Sequence, residues 1–273
     1  MTDAVSPNVR TTGSDLTRQL AVAASALVAV VGAFIGSGAA GGTPIQDAAG
    51  GALAADATLI APGTGAFTIW TLIYFGLLAY AVWQFLPGQR TDARHRSVGY
   101  PIAASLVLNA AWILSIQFDL LWLSVPIIVA LLVVLIDAFR RCLADPPKNL
   151  ADTLVTDGTV GLYLGWVCVA TAANATAALI AAGFEGWGIP SETWAVVVIA
   201  GAGAVGVGLA VWDRGRIAPM LSLGWGLSWV AIARFTDAPA SVIAGVAAIV
   251  AVAAVVAATV VARTLAHRRK GRT

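Results

Sequence analysis

Three tryptophans of this 273-residue chain stand inside apolar stretches close to neutral hydrogen-bonding side chains: Trp70 with Tyr74, Trp112 with Asn109, and Trp166 with Asn174. An indole offers a broad π face and one N–H donor, while a phenol and a carboxamide add donors and acceptors without charge. Converging between helices, such groups can stack on a flat hydrophobic molecule and orient it. Trp70 and Tyr74 are spaced i, i+4 and Asn109 and Trp112 i, i+3, so each pair shares a helix face. Asn174 shares its face with Ala170 and, two turns back, Trp166. Counted from the outer ends of their apolar stretches, Asn109, Asn174 and Tyr74 lie about nine or ten residues deep and Trp70 and Trp112 about six, roughly 9 to 15 Å at 1.5 Å per residue. The two amides could instead hydrogen-bond across helices, a use worth on the order of 1 kcal/mol in membranes. Their common depth with Trp70, Tyr74 and Trp112 favours a cavity.

The chemistry that is missing narrows the function further. No ionisable side chain falls near the middle of an apolar stretch; Asp137 is close to the inner end of the fourth, with Arg140 and Arg141 at pairing distance along the helix. Proton-coupled pumps and ion-coupled carriers keep such groups in the membrane, which disfavours a secondary transporter. The two histidines, His95 and His267, fall outside the spans, so axial haem ligation is not expected. Cys142 and Cys168 stand about 16 Å apart in depth, too far for a disulfide. No metal set or nucleophile–base set is legible, and no cofactor is required by the residues present. The chain reads as a binding protein rather than an enzyme.

The elements that must hold the Trp/Tyr/Asn layer follow from composition. The chain is 59% apolar and 11% charged, with a mean hydropathy of +0.85, which marks an all-α, polytopic integral membrane helix bundle. Stretches long enough to span hydrocarbon run at about 19–40, 64–86, 99–118, 120–141, 157–183, 190–212, 217–235 and 238–265. With the N-terminus inside, 15 of the 16 basic residues fall in cytoplasmic segments, as the positive-inside rule requires. Eight spans with both termini cytoplasmic, in a bacterial-type plasma membrane, are therefore expected. Arg234 is the exception, and a local ion pair with Asp237 is its expected explanation. Net charge is +2, but topology accounts for the basic residues, so no nucleic-acid partner is implied. The basic run His267–Arg272 is either a stop signal or a contact for anionic lipid.

Residues 1–18 read as a cytoplasmic tail, 19–185 as a five-helix unit, 186–265 as three further membrane helices, and 266–273 as a basic cytoplasmic tail. The first apolar run is span-length, hence a helix rather than a cleaved leader. The segment 41–62 is either a lid over the outer face or irregular. Asp119 leaves almost no connection between the third and fourth spans, which must form a tight hairpin. Gly201, Gly203 and Gly206 spell a dinucleotide-type string, but mid-span and without a preceding strand they serve helix packing. Trp83, Trp122, Trp187, Trp194 and Trp212 sit near span ends as belt anchors. Trp225 and Trp229, in the seventh span, either pack against the first five helices or form another surface.

Three blocks resemble the tryptophan-rich sensory proteins, the TspO and mitochondrial translocator (peripheral-type benzodiazepine receptor) family. Residues 67–74, FTIWTLIY, are similar to the family's second-helix pattern W-x-x-[LI]-Y. Residues 109–112, NAAW, resemble its third-helix N-x-x-W, and 162–174, LYLGWVCVATAAN, its fifth-helix pattern of Tyr, W-x-x-x-A and Asn. The chain departs from the pattern at Thr64, Ile116, Gln117 and Leu162. The resemblance implies a five-helix bundle over about 19–183 that binds porphyrins or other tetrapyrroles, with Phe67, Trp70, Tyr74, Asn109, Trp112, Tyr163, Trp166, Ala170 and Asn174 lining or supporting the pocket. It also implies a homodimer, whose packing the three further helices would alter. The expectation is a membrane receptor or sensor for a tetrapyrrole, haem-like or similarly flat hydrophobic ligand. A porphyrin-degrading photo-oxidative enzyme and a facilitator of tetrapyrroles or sterol-like lipids are the alternatives.

Overall fold

The computed structural model describes residues 12–38, 40, 41 and 43–270. Most of the expected N-terminal tail, Arg10 included, and the end of the basic tail with Arg272 lie outside the described residues. Eight helices among those described are long and apolar enough to cross a membrane. They are α1 (Gly13–Gly36), α2 (Ile69–Trp83, led in by a 3₁₀ turn at Thr64–Thr68), α3 (Ala93–Gln117), α4 (Leu121–Ala144), α5 (Leu150–Ala181), α6 (Ser191–Trp212), α7 (Ile217–Thr236) and α8 (Val242–Lys270). No strand occurs among the described residues.

Local chemistry moves several starts ahead of the apolar stretches. A capping box between Thr12 and Asp15 begins α1 early. The Asp92 carboxylate accepts the Arg94 N–H at 3.0 Å and starts α3 at Ala93. The Asn149 carboxamide does the same for Asp152 at 2.8 Å, opening α5 seven residues before the apolar run. α1 stops at Gly36 rather than reaching 40, because the glycine-rich string that follows has little to gain from helix. Pro146 and Pro147 follow the end of α4 directly.

α1, α3, α4 and α5 pack in that spatial order and α2 closes the side of α1 and α5, enclosing a core around Ile73, Leu106, Leu131, Leu164 and Trp166. α6, α7 and α8 enclose a second core around Ile199, Leu223, Leu227 and Ala248. α5 against α7 is the main joint between them. There Gly165 lies so close to α7 that a Cβ would stand 2.2 Å from the Pro219 carbonyl oxygen. On α6, Gly203 packs against Ala251 and Gly206 against Val255 and Leu223 as expected, whereas Gly201 faces open space. The α3–α4 connection is the tight hairpin anticipated, with Asp119 at φ +58.

At the Arg-rich end, α5 passes through a π-helical turn, Thr153–Gly158. An α-helix would rotate two side chains five residues apart to different faces, whereas i→i+5 winding stacks them. Asp152 and Asp157 thereby both reach Arg94, which is fully buried: Nε lies 3.2 Å from Asp152, and Nη2 pairs with Asp157. Arg216, just before α7, pairs with the other oxygen of Asp157. One network thus ties α3, α5 and α7. Asp137 pairs with Arg140 and Arg141 as its helical spacing implies.

Arg234 corrects the sequence expectation. It makes no ion pair with Asp237 among the described residues; its guanidinium is 1% exposed and donates to the carbonyls of Ala55, Thr58 and Pro239 at 2.9, 3.1 and 2.9 Å. Proximity in sequence made Asp237 the simplest partner, but folding brings the carbonyls of segment 43–63 against α7.

Candidate functional site

Three hydrogen bonds place the Trp/Tyr/Asn layer at one depth. Asn109 Nδ2 donates to Tyr74 Oη at 2.7 Å, joining α3 to α2. The Trp112 indole N–H donates to Asn174 Oδ1 at 3.0 Å, joining α3 to α5. Asn174 Nδ2 in turn donates to Ser124 Oγ at 2.9 Å, bringing in α4. Each of these groups is neutral, so the layer specifies how four helices sit without the cost of burying charge.

Between these helices and the segment 43–63 lies a cavity of about 60 Å³, well below the roughly 300–1,000 Å³ common to small-molecule sites, so a ligand of that size enters only if the wall moves. Phe67, Trp70, Asn109, Trp112, Trp166, Ala170 and Asn174 all line it. Tyr74 and Tyr163 stand behind the wall instead. Tyr74 is tilted against Trp70 with ring centres 5.4 Å apart, and buried Tyr163 meets Trp70 edge-on at 5.6 Å. Trp166, 2% exposed, takes Phe67 and Trp70 edge-on at 5.8 and 6.2 Å. The rings therefore hold one another at fixed angles beside the cavity.

No residue of the lining carries a formal charge. Three polar atoms of lining residues are buried without a protein partner: Trp166 Nε1, Asn109 Oδ1 and Thr58 Oγ1. One is a donor, one an acceptor and one can be either. A buried polar group without a partner costs on the order of 1–3 kcal/mol, so a ligand that engages these atoms gains more than its apolar contact alone.

Sequence reasoning left the segment 41–62 open between lid and irregular chain; it is a lid. Ile45, Ala52, Leu53, Thr58, Ala61 and Pro62 face the cavity from it. Its front is tied to the α3–α4 tip, where Gln117 Nε2 donates to the Thr43 carbonyl at 2.8 Å and the Ala49 N–H donates to Asp119 Oδ1 at 3.2 Å. Its rear is tied to α7 by Arg234 and by the Gly63 N–H, which donates to the Trp229 carbonyl at 3.2 Å. Trp225 and Trp229 are thereby assigned to the joint with the first five helices. The Trp225 indole donates to the Ala66 carbonyl at 2.9 Å, and Trp229 lies so close to Gly65 that a Cβ would come within 2.1 Å of its ring.

Ser124, Ile128 and Leu131 of α4, with the lid residues, were not singled out from sequence. Ser124 carried a weak signal, a hydroxyl in an otherwise apolar run. Among the expected belt residues, Trp122, Trp187 and Trp212 are exposed at 55, 81 and 43%, whereas Trp83 buries its indole nitrogen and Trp194 turns inward and donates to the Gly186 carbonyl.

The profile of the TSPO-like protein family matches residues 22–261, from within α1 to within α8. No curated protein and no solved structure matches the chain significantly.

Proposed function

Because this chain belongs to the TSPO-like protein family, a membership that supports a membrane sensor or binding protein, we propose that its cavity binds a tetrapyrrole or a similarly flat hydrophobic ligand. The observation that carries the reading is the set of unpartnered buried atoms on an otherwise aromatic and aliphatic wall: Trp166 Nε1, Asn109 Oδ1 and Thr58 Oγ1. The faces of Trp70, Trp112 and Trp166 supply stacking area for a planar ring system, and the three atoms supply edge contacts that fix its orientation. The neutral lining selects an uncharged ring; carboxylates on such a ligand belong at the mouth, toward the lid.

The residues would hold such a group, once the wall has moved, without coordinating it. No histidine or thiolate stands on the wall, so affinity comes from stacking and hydrogen bonds rather than axial ligation. Sensing requires that occupancy be felt elsewhere in the molecule, and the lid supplies a route, since it contacts the cavity on one side and α7 on the other.

Porphyrin titration of the protein in nanodiscs, followed by quenching of tryptophan fluorescence, tests this. The combined Trp112→Phe, Trp166→Phe, Asn174→Ala variant loses the Trp112–Asn174 bond and the free indole donor, and is expected to bind at least about tenfold more weakly. Affinity equal to that of the parent protein excludes the assigned cavity.

A further inference from the structure

We propose that Arg234 of α7 is a positioning residue of the ligand site. It holds the rear of the lid, residues 55–63, as a fixed wall, so that ligand is admitted past the front, residues 43–54. This rests on the cavity being the binding site, although its first test requires no ligand.

The two halves of the lid are held in different ways. At the rear, Thr58, Ile60 and Ala61 are 4, 5 and 7% exposed. Arg234 spans two carbonyls there, Nη2 reaching Ala55 and Nη1 reaching Thr58, while Nη1 also reaches Pro239 in the α7–α8 connection. Hydrogen bonds from a charged donor are about twice as strong as neutral ones, and these are shielded from water. No carboxylate lies within ion-pair distance of Arg234 among the described residues. Two of its three hydrogen bonds therefore exist only while the rear of the lid stays folded against α7. The Gly63 bond to Trp229 and the Trp225 bond to Ala66 extend the same attachment.

At the front, the bonds from Gln117 to Thr43 and from Ala49 to Asp119 are exposed. Gln46, Asp47 and Gly50 are exposed, and Gly50 and Gly51 adopt positive φ of 67 and 77. Exposed bonds exchange readily with water. Only Ala48 of this half is buried, packed with Ile116, Leu121 and Ala178, whereas Thr58 and Ile60 to Gly63 are all buried at the rear. Ile45, Ala52 and Leu53 lie on this half and reach the cavity, so its displacement uncovers the site while Thr58, Ala61 and Pro62 stay in place. The three-helix part is thus a structural component of the binding site.

The test compares thiol labelling at two positions in full-length protein in nanodiscs, with Cys142 and Cys168 replaced by alanine. Ala52→Cys reports the front and Ala61→Cys the rear, each treated with a membrane-impermeant maleimide. The expected result is labelling at least about tenfold faster at the front than at the rear. Arg234→Gln should bring the rear up toward the rate of the front while leaving the front unchanged. Arg234→Lys, which keeps the charge but cannot fork to three carbonyls, should do the same if the Gln variant folds poorly. Equal labelling of both positions in the parent, or a rear rate unmoved by either substitution, overturns the proposal whatever the ligand. A second measurement uses a porphyrin probe: Gln117→Ala with Asp119→Gly, which removes both acceptor and donor ties of the front, should speed association and dissociation alike, leaving Kd unchanged. A parent that shows the labelling contrast but binds no porphyrin overturns the ligand reading instead.

Discussion

The Trp112 indole N–H donates to Asn174 Oδ1 at 3.0 Å, and the same carboxamide donates from its nitrogen to Ser124 Oγ at 2.9 Å. Asn174, 1% exposed, therefore bonds to both α3 and α4 from α5 beside the cavity. Asn174→Ala leaves the Trp112 donor without its partner. The expected cost is about 1 kcal/mol in unfolding by SDS titration, the scale of interhelical hydrogen bonds in membranes. Asn174→Asp keeps the acceptor for Trp112 and should lose less of the ligand affinity than Asn174→Ala does.

Arg94 supports the opposite end of the bundle. Arg94→Gln leaves Asp152 without its ion-pair partner and Asp157 with Arg216 alone, and breaking a buried pair by removing one partner costs about 3–5 kcal/mol. The expected outcome is a sharp loss of thermal stability. Asp157→Asn should be milder, because it removes a buried charge together with its pairing.

Gly165 tests the joint between the two halves. Gly165→Ala sets a methyl 2.2 Å from the Pro219 carbonyl oxygen and 2.3 Å from Ser222 Oγ. The serine can rotate away, but the backbone carbonyl cannot. Overpacking of this kind costs typically about 1–3 kcal/mol, and it should appear as reduced thermal stability. Gly201→Ala, on α6 with nothing within 4 Å of its Cβ, is the control that should leave stability unchanged.

Two aspartates outside the helices set opposite pH dependences. Burial pushes the Asp213 carboxyl up to about 6, against the backbone N–H groups of Gly215 and Arg216 and the charge of Arg216, which lower it. The folded state therefore holds this proton more tightly than the unfolded chain, and the contribution of Asp213 to stability declines as pH rises from about 4 to about 6. Burial also raises Asp92, but Lys148 and the Arg94 N–H outweigh it and hold the carboxyl below its usual range. Its contribution is present above about pH 4 and is lost below that. Unfolding followed from pH 3 to pH 8 should show Asp213→Asn flattening the upper window and Asp92→Asn the lower one.

The helices and the aromatic layer were legible because both depend on spacing. Apolar length marks a span, and i, i+3 or i, i+4 intervals place Trp70 with Tyr74 and Asn109 with Trp112 whatever the neighbours are. Pairings between helices were not legible. Nothing in the sequence sets Ser124 apart from a serine bonded to its own helix, yet it completes the Asn174 contact. The π turn that aligns Asp152 with Asp157 leaves no compositional trace. Arg234 was assigned to Asp237 because sequence shows only near neighbours, whereas its acceptors at Ala55 and Thr58 come from a segment far away in the chain. The lid remained ambiguous for the same reason, since small and polar residues fold over a surface only where that surface exists.

Ala170 and Ala173 line the cavity with methyl groups, and filling them tests most directly whether ligand sits there. Porphyrin affinity should be measured by fluorescence quenching for the Ala170→Phe and Ala173→Phe variants, each checked for parental thermal unfolding. A variant that unfolds like the parent but binds porphyrin about tenfold or more weakly is the predicted result. Parental affinity in both filled variants would contradict the account, because the ligand would then bind somewhere other than among Trp70, Trp112 and Trp166.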